Sequence, residues 1–286
     1  MHRRWIINAA LLAAAVVLGA TLWSNPRSRA AATLPALTPF KPAAVTRIAL
    51  QRPGHATIRL VRDPHGHWQL TAPFPARADR FRAAAVADVA NATVQDHFPA
   101  PADLARYGLA APQAVLRLNG VSIELGARQP FAPLRYVLVG HTVDLIPAEA
   151  IHPARLTVDS FLSTRLLGRA IHPRAFLMPA FTVARVKGIW RLTPASSRIS
   201  NDHINSFVDK WRYARALQVT RYRGKGTILG RVTIRYERRA ASHPRHGLLH
   251  IDILATTPEV VLLRPRERLA YHFPQEIGER MLHIAP

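Results

Sequence analysis

GHWQLT (66–71) and GIWRLT (188–193) decide how this chain is read, because each opens a run of elements that the other half repeats. Each is followed by an acid-led helical stretch, from Asp79 and from Asp202. VSIEL (121–125) returns as LHIDI (249–253), with apolar residues alternating around one acid. RYVLV (135–139) returns as EVVLL (259–263), and IPAEAI (146–151) as FPQEIG (273–278). The offset runs from 122 residues at Trp68/Trp190 to 128 at Glu124/Asp252 and 127 at Pro147/Pro274, as loop insertions and deletions would produce. The competing account is two chance runs of common strand patterns. A tandem duplication is the reading adopted.

Period-two alternation fills the space between these landmarks. VTRIALQ (45–51) and ATIRLVR (56–62) flank Pro53-Gly54 as a hairpin, and 63–66 turns into the strand 67–71. Asp79 is placed to cap a helix over 80–91 with Phe81, Ala85 and Val89 on one face, and strand 93–98 follows. In DLARYGL (103–109), Gly108 takes the left-handed C′ position, Leu109 meets Leu104, and Pro112 blocks continuation. Strands are expected at 113–118, 121–126, 135–140 and 142–146, then a helix over 156–168 (LTVDSFLSTRLLG). In the second half, Ser200, Asn201 or Asp202 caps a helix over 203–212. RVTIRY (231–236) sets Val232, Ile234 and Tyr236 against Arg231, Thr233 and Arg235. The predicted class is α+β, mostly antiparallel sheets with short helices, two tandem repeats of one module behind a single N-terminal transmembrane helix. The expected domains are an anchor over 1–23, a Pro/Ala-rich linker over 24–43, and repeats over 44–170 and 171–286.

Residues 5–23 (WIINAALLAAAVVLGATLW) hold only Asn8 and Thr21 as polar residues. At about 1.5 Å per residue such a helix approaches the ~30 Å hydrocarbon thickness. Trp5 and Trp23 suit the two interfaces, and Arg3 and Arg4 favour an N-in orientation. A cleaved signal peptide ending at 30–32 (AAA) is the rival. Its usual apolar run of about 7–15 residues is shorter, and the charged interruption NPRSR (25–29) argues against it. Prolines at 26, 35, 39 and 42 make 24–43 an extended tether.

WxLxxPxxxxAD (68–79), DLxxYGLxxP (103–112), the strand ending in Leu125-Gly126, and RYV (135–137) through RLL (165–167) together resemble the bacterial family catalogued as domain of unknown function 4340. The likeness covers roughly half of the chain, and the second half resembles the family only as a diverged copy. The resemblance implies an envelope tether of one N-terminal helix and, in some members, an accessory place beside ABC-type transport or gliding-motility systems. It brings no catalytic residues with it.

Composition bounds the rest. At 286 residues with 49% hydrophobic and 20% charged side chains, the chain can bury real cores. Without cysteine it has no disulfide, thiolate metal site or lipidated cysteine. Thirty-nine basic residues, 35 of them arginine, face 17 acidic ones, so a formal +22 must meet water or an anionic partner. The candidate surface is 212–239, where Arg212, Arg215, Arg221, Arg223, Lys225, Arg231 and Arg235 interleave with Tyr213, Tyr222 and Tyr236. Such a surface suits anionic lipid or glycan, and less well nucleic acid. Its competing reading is the solvated face of strands whose tyrosines point inward.

Chemistry-bearing constellations are weak. His243, His246 and His250, with Asp252, form the best metal candidate, but Pro244 and Gly247 deny them a shared helix face. His65/His67 flank a turn glycine. Asp159-Ser160 and Ser163 have no histidine at fixed spacing, and Gly224-Lys225-Gly226 is too short for a phosphate loop. Glu124 and Asp252 read as equivalent strand positions rather than a catalytic pair. The expectation is therefore a non-enzymatic protein with no cofactor, single-pass in the bacterial inner membrane with its bulk periplasmic. It would hold the bilayer through 5–23 and act as an interaction or scaffold protein beside an envelope partner, for instance a transport complex. The alternatives are a membrane-bound nucleic-acid or anionic-polymer binder using 212–239, and a hydrolase without a recognisable motif.

Overall fold

Alternating apolar residues become strands that bury one face, and the strands sort into two antiparallel sheets. The computed structural model describes residues 34–238 and 245–284; the segment 5–23 with Arg3, Arg4, Trp5 and Trp23, and His243 also, lie outside them. The first sheet holds β1 (Arg47–Gln51), β2 (Ile58–Arg62), β3 (Trp68–Ala72), β4 (Ala76–Arg77), β5 (Asp96–Pro99), β6 (Ala114–Leu118), β7 (Val121–Arg128), β8 (Leu134–Val139) and β9 (Thr142–Pro147). The second holds β10 (Ile171–Leu177), β11 (Thr182–Val186), β12 (Ile189–Thr193), β13 (Gln218–Arg221), β14 (Gly230–Arg238), β15 (Arg245–Ala255), β16 (Glu259–Arg264) and β17 (Leu269–Pro274). Their orders are β4-β3-β2-β1-β6-β7-β8-β9-β5 and β12-β11-β10-β14-β15-β16-β17-β13. With β4 set aside and counting restarted in each sheet, both read 3-2-1-5-6-7-8-4. In each, a helix follows the third strand: α1 (Arg80–Ala87) and α2 (Asn201–Tyr213). A third helix, α3 (Gln275–Leu282), packs on β16 and β17. One apolar cluster runs through both halves.

Caps and turns follow local chemistry. The Asp79 carboxylate accepts the Phe81 and Arg82 amides at the start of α1. The buried residues of α1 and its 3-10 continuation are Ala83, Val86, Ala87 and Ala90, spaced i, i+3, i+4, i+7, with Val89 beside them. Of the expected face, Val89 meets the core and Ala85 is half-buried, but Phe81 is left 60% exposed. For α2 the cap is Ser200, whose hydroxyl accepts the His203 amide while the His203 ring accepts the Ser200 amide. Ile204, Phe207, Val208 and Trp211 form its buried stripe, and the Trp211 indole donates to the Met281 carbonyl at 2.7 Å. In the DLARYGL element the helical part is one 3-10 turn. Gly108 sits at φ +65°, and the Leu109 amide bonds the Leu104 carbonyl at 3.0 Å. This turn lies so close to β7 that a Cβ at Gly126 would collide with the Tyr107 carbonyl oxygen and fall 2.9 Å from Leu109 Cδ2.

Two expectations are corrected. Residues 156–168 are not a helix. Single 3-10 turns at His152–Arg155 and Val158–Phe161 give way to an extended path. Its backbone bonds outward on both sides: the Ser163 amide to the Arg77 carbonyl (2.9 Å), the Leu166 amide to the Ala214 carbonyl (3.2 Å), and the Ala216 amide to the Thr164 carbonyl (2.9 Å). Those partners replace the i→i−4 bonds a helix would need. The tether also ends earlier than residue 43. Val94 bonds the Pro35 carbonyl, Leu37 and Thr38 bond the Ala92 and Ala90 carbonyls, and Leu37 is buried.

Among the described residues no helix is long and apolar enough to cross a membrane.

Candidate anion-binding groove

Segment 162–166 joins the halves and is gripped by both. Leu162 bridges Ala78 beside β4, and Arg165 bridges Arg215 just after α2. The Arg77 guanidinium donates to the carbonyls of Arg165 (2.9 Å) and Leu166 (3.2 Å) and to the Tyr271 hydroxyl (2.9 Å). From the second half, Arg264 donates to the Leu166 carbonyl at 2.9 Å and pairs with Glu267 at 2.7 Å, which lies 3.9 Å from Arg77. Burial pushes the Arg264 guanidinium down and the Tyr271 phenol up from their ordinary values. Tyr271 is 1% exposed. None of these four side chains stands out in the sequence. The one available signal is Arg264 itself, a cation closing the apolar run VVLL (260–263).

Beside this joint lies a groove of about 890 Å³, walled by the β2–β3 turn, the start of α1, the connector up to Ile171, and Arg215 and Arg238. Seven arginines line it against two acids, and both acids are already committed. Asp63 accepts the His67 amide at 2.8 Å, the main reason its carboxyl is held below the usual range. Asp79 caps α1. Among the arginines, Arg77 holds the connector and Arg62 donates to the Ala43 carbonyl. For Arg80, Arg165, Arg169 and Arg215 no ion pair occurs among the described residues. Arg165 is half-buried, and its Nε is shut off from water without a hydrogen-bond partner. Burial, then the fields of Arg215, Arg169 and Arg80, push its guanidinium down from the ordinary value. It remains a cation at any physiological pH.

The expected surface over 212–239 is not one surface. Three strands separate β13 from β14, so Arg221 on β13 and the arginines on β14 stand roughly 19 Å apart at ~4.8 Å per strand. Arg212 lies over Tyr213 and 3.4 Å from Asp209, and Arg221 stacks on Phe74 of the first half, 4.7 Å from the ring centre. Arg223 and Lys225 are in the exposed loop after β13, and Arg235 points to solvent from β14. Arg231 bonds Asp252 at 2.6 Å, neutralising the buried carboxylate that matches Glu124 in the first half. Only Arg215 of the seven lines the groove. As expected from RVTIRY, Val232 and Ile234 are buried while Arg231 and Arg235 face out.

Of the metal candidates, His243 lies outside the described residues, and His246 and His250 lie four residues apart on β15. His250 hydrogen-bonds Thr233 at 3.1 Å and Asp252 is taken by Arg231. Among the described residues no three histidine, aspartate or glutamate side chains gather to hold a metal. Comparison with protein-family models, curated proteins and solved structures returns no match.

Proposed function

We propose that this chain is a non-enzymatic scaffold of the bacterial envelope, held in the inner membrane by residues 5–23 with its bulk on the periplasmic side. In this reading two copies of one module, 44–170 and 171–286, form a single stiff body that meets an envelope partner such as a transport complex. The reading includes the relationship to the domain of unknown function 4340. Its Tyr107-Gly108-Leu109 element and Leu125-Gly126 touch each other here, so the motif describes one packed unit.

Duplication is supported by the shared strand order, and by the way the repeated segments fall on it. VSIEL and LHIDI lie in sixth strands, RYVLV and EVVLL in or across seventh strands, and Pro147 and Pro274 close eighth strands. The observation that carries the scaffold reading is the connector. Both halves hydrogen-bond the same few residues, which removes the hinge that a two-domain enzyme would use to close on a substrate. Proteolysis of spheroplasts against intact cells tests the placement. The expected result is digestion of the body once the outer membrane is opened, with the chain remaining in the pellet after alkaline extraction. Protection until lysis, or release by alkali, overturns it.

A further inference from the structure

We propose that the groove between the halves binds a phosphate-bearing ligand, with Arg165 at its base and Arg80, Arg169 and Arg215 around it. The cations come from three places far apart in sequence, and the backbone sets two of them. Arg165 and Arg215 are bridge partners, and the Arg165 carbonyl is held by Arg77. A fold that places like charges together and spends both nearby carboxylates on local turns carries an electrostatic cost that a bound anion removes. Arginine forks fit phosphate oxygens two at a time, and four of them exceed what one carboxylate can satisfy. A phosphomonoester or diphosphate group matches that charge.

The rest of the volume calls for an organic remainder. Trp68 and the exposed Phe81 line the same groove, with the Arg80 guanidinium 4.5 Å from the Phe81 ring centre. A second depression shares Trp68, Arg80 and Phe81 with the groove and extends it to Lys41, Pro42 and Ala43. The shared chemistry is a phosphoryl or diphosphoryl group on an apolar or sugar-like body. A soluble phosphorylated compound and a lipid headgroup both present it. The site stands whether or not the body faces the periplasm.

The test uses the full-length chain in nonionic detergent micelles, with calorimetry against inorganic pyrophosphate and, separately, against phosphatidic acid in mixed micelles with a phosphatidylcholine control. Saturable binding of either probe is expected. Arg165→Gln with Arg215→Gln should weaken it roughly tenfold or more, from the loss of charge-assisted bonds. Arg223→Gln with Arg235→Gln removes the same charge outside the groove and should change it by less than about twofold. Arg80→Gln with Arg169→Gln, both on exposed side chains, repeats the test should the first pair unfold. Pyrophosphate binding points to a soluble ligand; binding of phosphatidic acid alone points to a headgroup. The proposal is overturned if neither probe binds, or if groove and control variants weaken binding equally. It is also overturned if a single-stranded oligonucleotide displaces the probe and still binds the groove variants.

Discussion

Replacing Glu267 with glutamine should loosen the joint between the halves. The carboxylate is the sole acid among the described residues paired to Arg264, whose side chain is buried, and it lies 3.9 Å from Arg77. Breaking a buried ion pair by removing one partner costs about 3–5 kcal/mol. Two features reduce that figure. Glu267 keeps 26% of its side chain exposed, so water screens part of the field. The glutamine amide oxygen also still accepts one bond from Arg264. The expected loss is about 2 kcal/mol, or roughly 4–8 °C in Tm at ~2–4 °C per kcal/mol for a body of this size. Thermal melts of Glu267→Gln, Arg264→Met and the double variant form the assay. The two changes should couple by about 1–2 kcal/mol, because the second removes the cation that the first leaves stranded. An unchanged Tm for Glu267→Gln, or strict additivity in the cycle, would refute the reasoning.

Gly126→Ala should destabilise despite stiffening the unfolded chain. The added methyl meets the Tyr107 carbonyl and Leu109, an overpacking cost of about 1–3 kcal/mol against a gain of about 0.4–1 kcal/mol. Gly168→Ala, whose nearest neighbour would be at 3.7 Å, is the control and should melt no lower than the parent. Asp144→Asn should raise Tm at pH 7. Asp144 is 8% exposed, and burial raises its carboxyl above the ordinary value, with His97 across the ladder pulling partly back. A raised carboxyl binds its proton more tightly when folded. Stability therefore falls as pH climbs from the ordinary carboxylate value through the folded one, and the deficit is complete above it. The advantage of the asparagine should fade on acidification below that window; a constant difference across pH would contradict it.

Strands and turns were legible because they answer to local rules. The hairpin at Gly54, the Asp79 cap and the Gly108 stop needed only neighbouring residues, and the alternation of 231–236 matched its burial. Segment 156–168 was misread because apolar residues at 158, 161, 162 and 166 satisfy a helical period while serving a path buried between two halves. Periodicity reports which side chains are covered, not what covers them. The basic stretch failed for the opposite reason. Contiguity in sequence gathered Arg221 and Arg231, which the sheet order then placed on separate strands. The groove was invisible because residues 80, 165 and 215 meet only after both halves are assembled. A single cation inside TRLLG (164–168) was the one local hint.

Both halves draw backbone partners from the residues that join them. Neither could be lost, exchanged or transplanted into another protein without orphaning backbone groups in the other. The pair must be inherited as one piece. Changes at that seam, more than changes at either outer rim, would be filtered by selection against misassembly.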